Sequence, residues 1–315
     1  MAVVWILVGL VGVVVGSELA LHGAESIARR LGVSPLMVGL TIASIGTSMP
    51  EIATNVAAGL SSRAGEDASG LLVGNIVGSC LSQITLLLGL TGLAAPLRRP
   101  HGFRRDAGMM LLAAALMYVA CSDGTVTPGE GGLLIATYAA YLAYLIVDAY
   151  RSDPTVPPHK DETRGGLPAD LARVAVGLTA VVAAADVVVG QSVLLAREAG
   201  ISDGLIGLGL GLGTGMPELA VALQSVRRKT ADIGLGNLIG SNITDPLLSF
   251  GAGAVISTVN VPPESLWFDF PAWGIASLVA VFFIWTHKQL VRWESGLLLL
   301  GFLTFFAVRT VVIGT

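Results

Sequence analysis

The amino-acid sequence predicts an all-α membrane protein with ten transmembrane helices in two inverted five-helix repeats. Of its 315 residues, 53% are hydrophobic and only 13% are charged, and the mean hydropathy is +0.77. This composition lies far outside that of soluble globular domains. Apolar segments of roughly the length that a spanning helix needs follow one another along the chain, and the polar motifs of the first half recur in the second.

The ten apolar segments are separated by short loops, except at 151–169, where six charged residues and four prolines predict a cytoplasmic linker. The first repeat is therefore expected at 1–150 and the second at 170–315. The apolar segments lie at about 2–28, 33–60, 69–95, 105–121, 130–150, 170–197, 201–226, 231–258, 267–286 and 294–314.

The basic residues predict the orientation of these helices. When loops are assigned alternately to two sides, 15 of the 18 Lys and Arg residues fall on one side. Positive loops are cytoplasmic, so both termini are expected outside a plasma (inner) membrane. The N-terminus, apolar from Ala2, is interpreted as the first span and not as a removable signal. Because five is an odd number of spans, the second repeat must be inverted, and such repeats place a shared site near the bilayer midplane.

Two motifs are repeated. Residues 46–51 read GTSMPE and residues 213–218 read GTGMPE, while residues 74–83 read GNIVGSCLSQ and residues 236–245 read GNLIGSNITD. The four motifs lie in apolar segments, where polar side chains are costly.

Each Met-Pro-Glu motif predicts a broken helix. Pro50 and Pro217 have no amide hydrogen, so the carbonyls of Gly46 and Gly213 lose their helical donors. Such carbonyls need another partner in lipid, and a cation is one. A lone proline more often only kinks a helix, but a glutamate beside it in both repeats favours an ion site.

A spacing of four residues places an oxygen-bearing pair on one helix face in each motif. Oxygen donors without nitrogen or sulfur suit hard cations such as calcium, whereas zinc or copper would call for His or Cys. The pairs are Thr47 with Glu51, Ser79 with Gln83, Thr214 with Glu218, and Ser241 with Asp245, with Ser48 beside the first.

Three central carboxylates without partners would cost about 8–10 kcal/mol, at about 2.5–3.5 kcal/mol each. No Lys or Arg lies in these segments to pair with them. We therefore expect either bound cations or protonated carboxylates. Two further intramembrane acids, Glu18 and Asp186, are expected to fasten their helices or to line an ion path.

The paired motifs resemble the two alpha-repeats of the sodium/calcium exchanger branch, prokaryotic type, of the calcium/cation antiporter superfamily. The ten-helix layout resembles this family over essentially the whole chain, and the specific motifs cover 44–95 and 211–257. The resemblance implies a secondary antiporter, not an enzyme, that exchanges calcium for sodium by alternating access, with the first and sixth helices sliding across a rigid core.

The resemblance also implies the ion ligands. They are the side chains of Thr47, Ser48, Glu51, Ser79, Gln83, Thr214, Glu218, Ser241 and Asp245, with the backbone carbonyls of Ser44 and Gly211. The sequence departs from the family pattern at Gln83, where Asn or Asp is usual, and at Gly215, where a second serine is usual. Asp245 occupies a position at which the potassium-dependent branch also carries Asp.

Several alternatives stay open from sequence alone. Calcium or another divalent cation could be exchanged for protons, or potassium could be co-transported with calcium. An intramembrane aspartyl protease would need two close carboxylates sharing a water molecule, and no protease motif accompanies them here. We expect calcium and sodium as substrates, contact with the lipid bilayer, no cofactor, no nucleic acid and no obligate protein partner.

Overall fold

The computed structural model describes residues 2–66, 68–151, 166–198 and 215–312, and these residues are almost entirely helical. The helices are Ala2–Leu31, Pro35–Val38, Ser44–Thr47, Met49–Arg63, Ser69–Ser82, Leu88–Ala94, Phe103–Cys121, Pro128–Arg151, Gly166–Glu198, Met216–Arg227, Ala231–Thr244, Phe250–Ile256, Phe270–Thr286 and Arg292–Val312. Four π-helical turns continue some of them, at Gly39–Ala43, Gln83–Leu87, Asp245–Ser249 and Ser265–Asp269.

Helix is found in every predicted apolar segment, although segment 201–226 is described only from residue 215. Within the described ranges, six helices are long and apolar enough to cross a membrane, and a seventh span results if the bent pair Pro35–Thr47 and Met49–Arg63 is counted as one. The ten-span count therefore stays a prediction. The six are Ala2–Leu31, Ser69–Ala94, Pro128–Ala149, Gly166–Ser192, Ser265–Thr286 and Arg292–Val311.

The chain forms two compact units, and neither coincides with one half of the sequence. The first comprises the described residues within Met1–Thr47 and Ala149–Asn237, and the second comprises those within Ser48–Asp148 and Leu238–Thr315. Each unit thus takes helices from both predicted repeats.

In the first unit, the long helices Ala2–Leu31 and Gly166–Glu198 pack with unusually close backbones. A Cβ atom on Gly16 would lie 2.8 Å from the carbonyl oxygen of Gly177, and one on Gly177 would lie 2.4 Å from the amide nitrogen of Ala20. Small residues permit such an approach between membrane helices.

Glu18 is fastened within the same unit. Its carboxylate accepts hydrogen bonds from Gln224 and Arg228, and Arg228 also pairs with Glu25 at 2.8 Å. These contacts join Glu18 to the end of the helix Met216–Arg227, as a fastening role requires, and both roles expected of Glu18 stay predictions. Asp186 is exposed.

In the second unit, two short antiparallel sheets join the two halves of the sequence. Strand β1 (Leu97–Arg98) pairs with β4 (Gln289–Leu290), and β2 (Thr125–Val126) pairs with β3 (Val259–Asn260). Each strand from the first half therefore takes its partner from the second half.

The motifs at residues 74–83 and 236–245, here called the GN motifs, lie on helices of the same construction. Ser69–Ser82 and Ala231–Thr244 each contain 14 residues, each is followed by a five-residue π-helical turn, and each ends in a seven-residue helix. The turns begin at Gln83 and Asp245, which are equivalent positions in the two motifs. Such π-helical segments occur frequently at functional sites.

Equivalent glycines in the two GN motifs lie in different surroundings, which gives a matched test of the packing. A Cβ atom on Gly236 would lie 2.5 Å from the carbonyl oxygen of Leu36, whereas one on Gly74 would meet nothing within 4 Å. We expect Gly236→Ala to cost about 1–3 kcal/mol through overpacking and to lower the melting temperature by several degrees in detergent.

The control is Gly74→Ala, which should leave the melting temperature unchanged or slightly higher, because alanine stabilises a helix interior by roughly 0.5–1 kcal/mol relative to glycine. Equal melting temperatures for the two variants would contradict the close approach at Gly236.

Candidate cation-binding site

Each Met-Pro-Glu motif begins a helix. Ser48, at φ −78° and ψ 4°, precedes the helix Met49–Arg63, and Gly215, at φ −79° and ψ 3°, precedes the helix Met216–Arg227. The two copies therefore share one backbone conformation at the residue that starts each helix.

This placement explains both the proline and the glutamate. Pro50 and Pro217 stand in the first helical turn, where a missing amide hydrogen is least costly. Glu51 and Glu218 stand in the same turns, where the positive end of the helix dipole stabilises a carboxylate. Both glutamates are fully buried. For the first copy, the predicted break is observed as the end of one helix at Thr47 and the start of another at Met49.

The second unit brings together hydroxyl and carboxyl groups from both halves of the sequence. The Ser48 hydroxyl lies 3.3 Å from the Ser241 hydroxyl, and the Ser79 hydroxyl lies 3.5 Å from Glu51 Oε1. Ser48, Ser241 and Glu51 are fully buried, and Ser79 is 3% exposed. Ser48 is therefore a neighbour of Ser241, and Ser79 is a neighbour of Glu51.

Gln83 and Asp245 form a third pair, held by a chain of hydrogen bonds. Gln83 Nε2 donates to Asp245 Oδ2 at 2.9 Å, while Gln83 Oε1 accepts from Asn242 Nδ2 at 2.8 Å. Asn242 Oδ1 in turn accepts from the indole nitrogen of Trp273 at 3.2 Å. The Gln83 amide is thus oriented with its NH₂ group toward the carboxylate, and its carbonyl oxygen keeps one lone pair for a further partner.

Asp245 offers an acceptor for a cation. The carboxylate is fully buried, and in the part of the chain that the structure describes no ion pair is formed with it. Its Oδ1 accepts no hydrogen bond of normal geometry there, although the Ser48 hydroxyl lies nearby. Buried acceptors in proteins normally have a partner, and a cation would supply one.

The donor chemistry is that of a hard cation. Within the described residues, no three His, Cys, Asp or Glu side chains come close enough together to hold a metal ion by themselves. The available donors are instead a few carboxylates with hydroxyl and amide oxygens, which suit calcium or sodium better than zinc or copper.

The first unit holds a separate set of predicted ligands. The Thr47 hydroxyl donates to Asn237 Oδ1 at 3.1 Å, and Asn237 Nδ2 is buried with no hydrogen-bond partner among the described residues. The Ser44 hydroxyl bonds the carbonyl of Leu40 at 2.7 Å. Glu218 belongs to this unit, whereas Gly211 and Thr214 lie outside the described residues.

Sequence reasoning missed the asparagines around these ligands. Asn55, one turn after Glu51, donates to Ser249 at 3.0 Å and accepts from Asn75 at 3.1 Å. Asn75 and Asn237 occupy the same position in the two GN motifs, so their repetition was an available signal. The residue equivalent to Asn242 in the first motif is Cys80, so repetition gave no signal for Asn242.

The chain matches the family model described as "Sodium/calcium exchanger protein" over residues 1–147 and 170–311. It is 31% identical to "Sodium/calcium exchanger MaX1" of Methanosarcina acetivorans, with 96% of this chain and 97% of that protein covered. It is also 33% identical to "Putative antiporter CaxA" of Alkalimonas amylolytica, with 81% of each chain covered.

Solved structures of the sodium-calcium exchanger NCX_Mj have the same fold. One, soaked with zero Na⁺ and Ca²⁺, gives a TM-score of 0.83 at 28% sequence identity and covers 97% of this chain and 98% of that one. Another, soaked with 100 mM Na⁺ and 10 mM Sr²⁺, gives a TM-score of 0.82 and covers 97% of each chain.

The hydrogen-bond chain from Trp273 to Asp245 can be tested by removing its central amide. Asn242→Leu would leave the Gln83 oxygen and the Trp273 indole nitrogen buried without these partners. We expect the free energy of unfolding to fall by about 1–3 kcal/mol per orphaned group, measured as a lower melting temperature in detergent.

The matched control is the double variant Asn242→Leu with Trp273→Phe, which removes the orphaned indole donor as well. The double variant should lose less free energy of unfolding than the sum of the losses of the two single variants. Strict additivity would argue against the hydrogen bond between Asn242 and Trp273.

Proposed function

This chain belongs to the sodium/calcium exchanger family, and from that premise we propose that it exchanges calcium for sodium across the membrane by alternating access. At the coarser level, family membership makes it a multi-pass membrane protein and a cation/calcium antiporter. It is a secondary transporter and not an enzyme, which removes the intramembrane protease alternative.

The observation that carries the proposal is the burial of three carboxylates in polar surroundings. Glu51, Glu218 and Asp245 are all 0% exposed although they lie in apolar segments. A carboxylate at such a position is costly unless a proton, a cation or hydrogen bonds compensate it. In a family of cation transporters, the transported ion is the natural compensating charge.

The proposed ion ligands are those implied by the repeated motifs. The contacts of Ser48 with Ser241 and of Ser79 with Glu51 support this assignment, as does Asp245 Oδ1, which accepts no hydrogen bond of normal geometry. We further propose that Gln83 acts mainly through Asp245, because its NH₂ group faces that carboxylate. The full proposed set is Ser44, Thr47, Ser48, Glu51, Ser79, Gln83, Gly211, Thr214, Glu218, Ser241 and Asp245.

The topology is part of the same proposal: ten spans in two inverted repeats, 1–150 and 170–315, joined by a cytoplasmic linker at 151–169, in the plasma (inner) membrane with both termini outside. Three features support the repeats. They are the matching helix starts at Ser48 and Gly215, the matching π-helical turns at Gln83 and Asp245, and the exchanged strand pairs.

The first test of function removes one carboxylate charge without changing its size. We expect Glu51→Gln, and separately Glu218→Gln, to reduce sodium-dependent ⁴⁵Ca²⁺ uptake into proteoliposomes to the level of protein-free liposomes, because each removes a proposed calcium ligand. The matched control is Glu66→Gln, an exposed residue that follows the same helix as Glu51, and its uptake should equal that of the wild type. Near-normal uptake by both variants would remove these glutamates from the ion site.

The second test separates the coupling ions. Calcium flux is measured under a sodium gradient at fixed pH, under a pH gradient without sodium, and under a sodium gradient with and without potassium. We expect the sodium gradient alone to drive flux. Flux driven only by the pH gradient would replace sodium with protons as the coupling ion, and a strict need for potassium would indicate co-transport.

A further inference from the structure

An apolar groove of about 350 Å³ lies on the surface of the second unit, and none of its lining residues is a proposed ion ligand. Its walls are the segment Ser265–Thr286 and the helix Arg292–Val312, and Leu81 and Thr85 contribute to its lining. Ala276 and Gly301 lie on opposite walls.

The groove offers almost no polar contact to a ligand. Its two threonines are satisfied within their own helices, since Thr85 donates to the carbonyl of Leu81 and Thr304 donates to the carbonyl of Leu300 at 2.8 Å. The remaining lining residues are apolar. An apolar occupant is therefore required.

One end of the groove carries an outward-facing cation. Phe305 and Val308 line this end, and the next residue, Arg309, pairs with Asp269 at 2.9 Å. The Arg309 side chain is 35% exposed and that of Asp269 only 6%. Arg309 Nε and Nη2 donate to Asp269, whereas Nη1 has no acceptor among the described residues.

We expect this end of the groove to lie at the membrane interface. Trp267, adjacent to the groove residue Phe268, is 56% exposed, and exposed tryptophans are enriched at the level of lipid headgroups. Arginines near the ends of spanning helices likewise extend toward the headgroups. The rest of the groove then lies at the depth of the acyl chains.

An acyl chain is thin, flexible and apolar, which fits the lining of the groove, and acyl chains are present at this depth of a membrane.

We propose that this groove binds one acyl chain of a phospholipid, whose anionic phosphate contacts Arg309. The bound acyl chain would contact Leu81 and Thr85, which are neighbours in sequence of the proposed ligands Ser79 and Gln83. The lipid would therefore pack against the segment that carries these two ligands. The proposal does not depend on which ion is transported.

The test uses the full chain reconstituted with phosphatidylglycerol that carries a photoactivatable diazirine in one acyl chain. After irradiation, adducts are mapped by peptide mass spectrometry. We expect adducts in the wild type to concentrate on residues 268–279 and 297–308. Gly301→Phe should lower them at least about ten-fold by filling the groove.

The matched control is Gly296→Phe on the same helix. A Cβ atom at either Gly296 or Gly301 would meet nothing within 4 Å, but only Gly301 lines the groove. Adducts of the Gly296 variant should equal those of the wild type. Ala276→Phe fills the groove from the other wall, and it replaces Gly301→Phe as the test variant if Gly301→Phe is not monodisperse.

The phosphate contact is tested by competition. Unlabelled phosphatidylglycerol should displace the label at a concentration at least about ten-fold lower than diacylglycerol with the same chains. Equal competition would overturn the contact with Arg309. Adducts spread evenly over all apolar helices, no effect of groove-filling variants, or a dimer that shields the groove from the label would overturn the lipid site itself.

Discussion

Burial of carboxylates in apolar helices is the constraint on which the rest of this structure depends. Glu51, Glu218 and Asp245 have no exposure at all, and lipid provides nothing to stabilise them. The protein meets this constraint locally, since two of them lie at helix starts and the third beside an amide. A cation shared with neighbouring hydroxyl oxygens would complete the compensation.

The identity of residue 83 follows from the same constraint. Gln83 Nε2 lies 2.9 Å from Asp245 Oδ2 and donates to it. An aspartate at position 83 would instead place two carboxylates side by side, and two such groups cannot both ionise easily. An amide side chain at position 83 therefore keeps a hydrogen-bond donor beside Asp245, which an aspartate would not, and leaves this carboxylate available to an ion.

Local features of the site could be predicted from the sequence, whereas its supporting packing could not. The helix starts at Met49 and Met216 follow from proline chemistry, and repetition indicated the candidate ligand motifs. The contacts of Asn242 depend on tertiary packing with Trp273, which leaves no periodic signal. The π-helical turns change only the hydrogen-bond register of the backbone, which neither composition nor periodicity reveals. The division into two units, each taking helices from both halves, is likewise a property of packing.

The exchanged strands have a consequence for synthesis of the chain. Leu97 in β1 pairs with Leu290 in β4, about 190 residues later, and translation at 5–20 residues per second needs roughly 10–40 s to produce that partner. Until then, the backbone donors and acceptors of β1 must be satisfied by water or by insertion factors. Strand β1 therefore waits for its partner until nearly the whole chain has been synthesised.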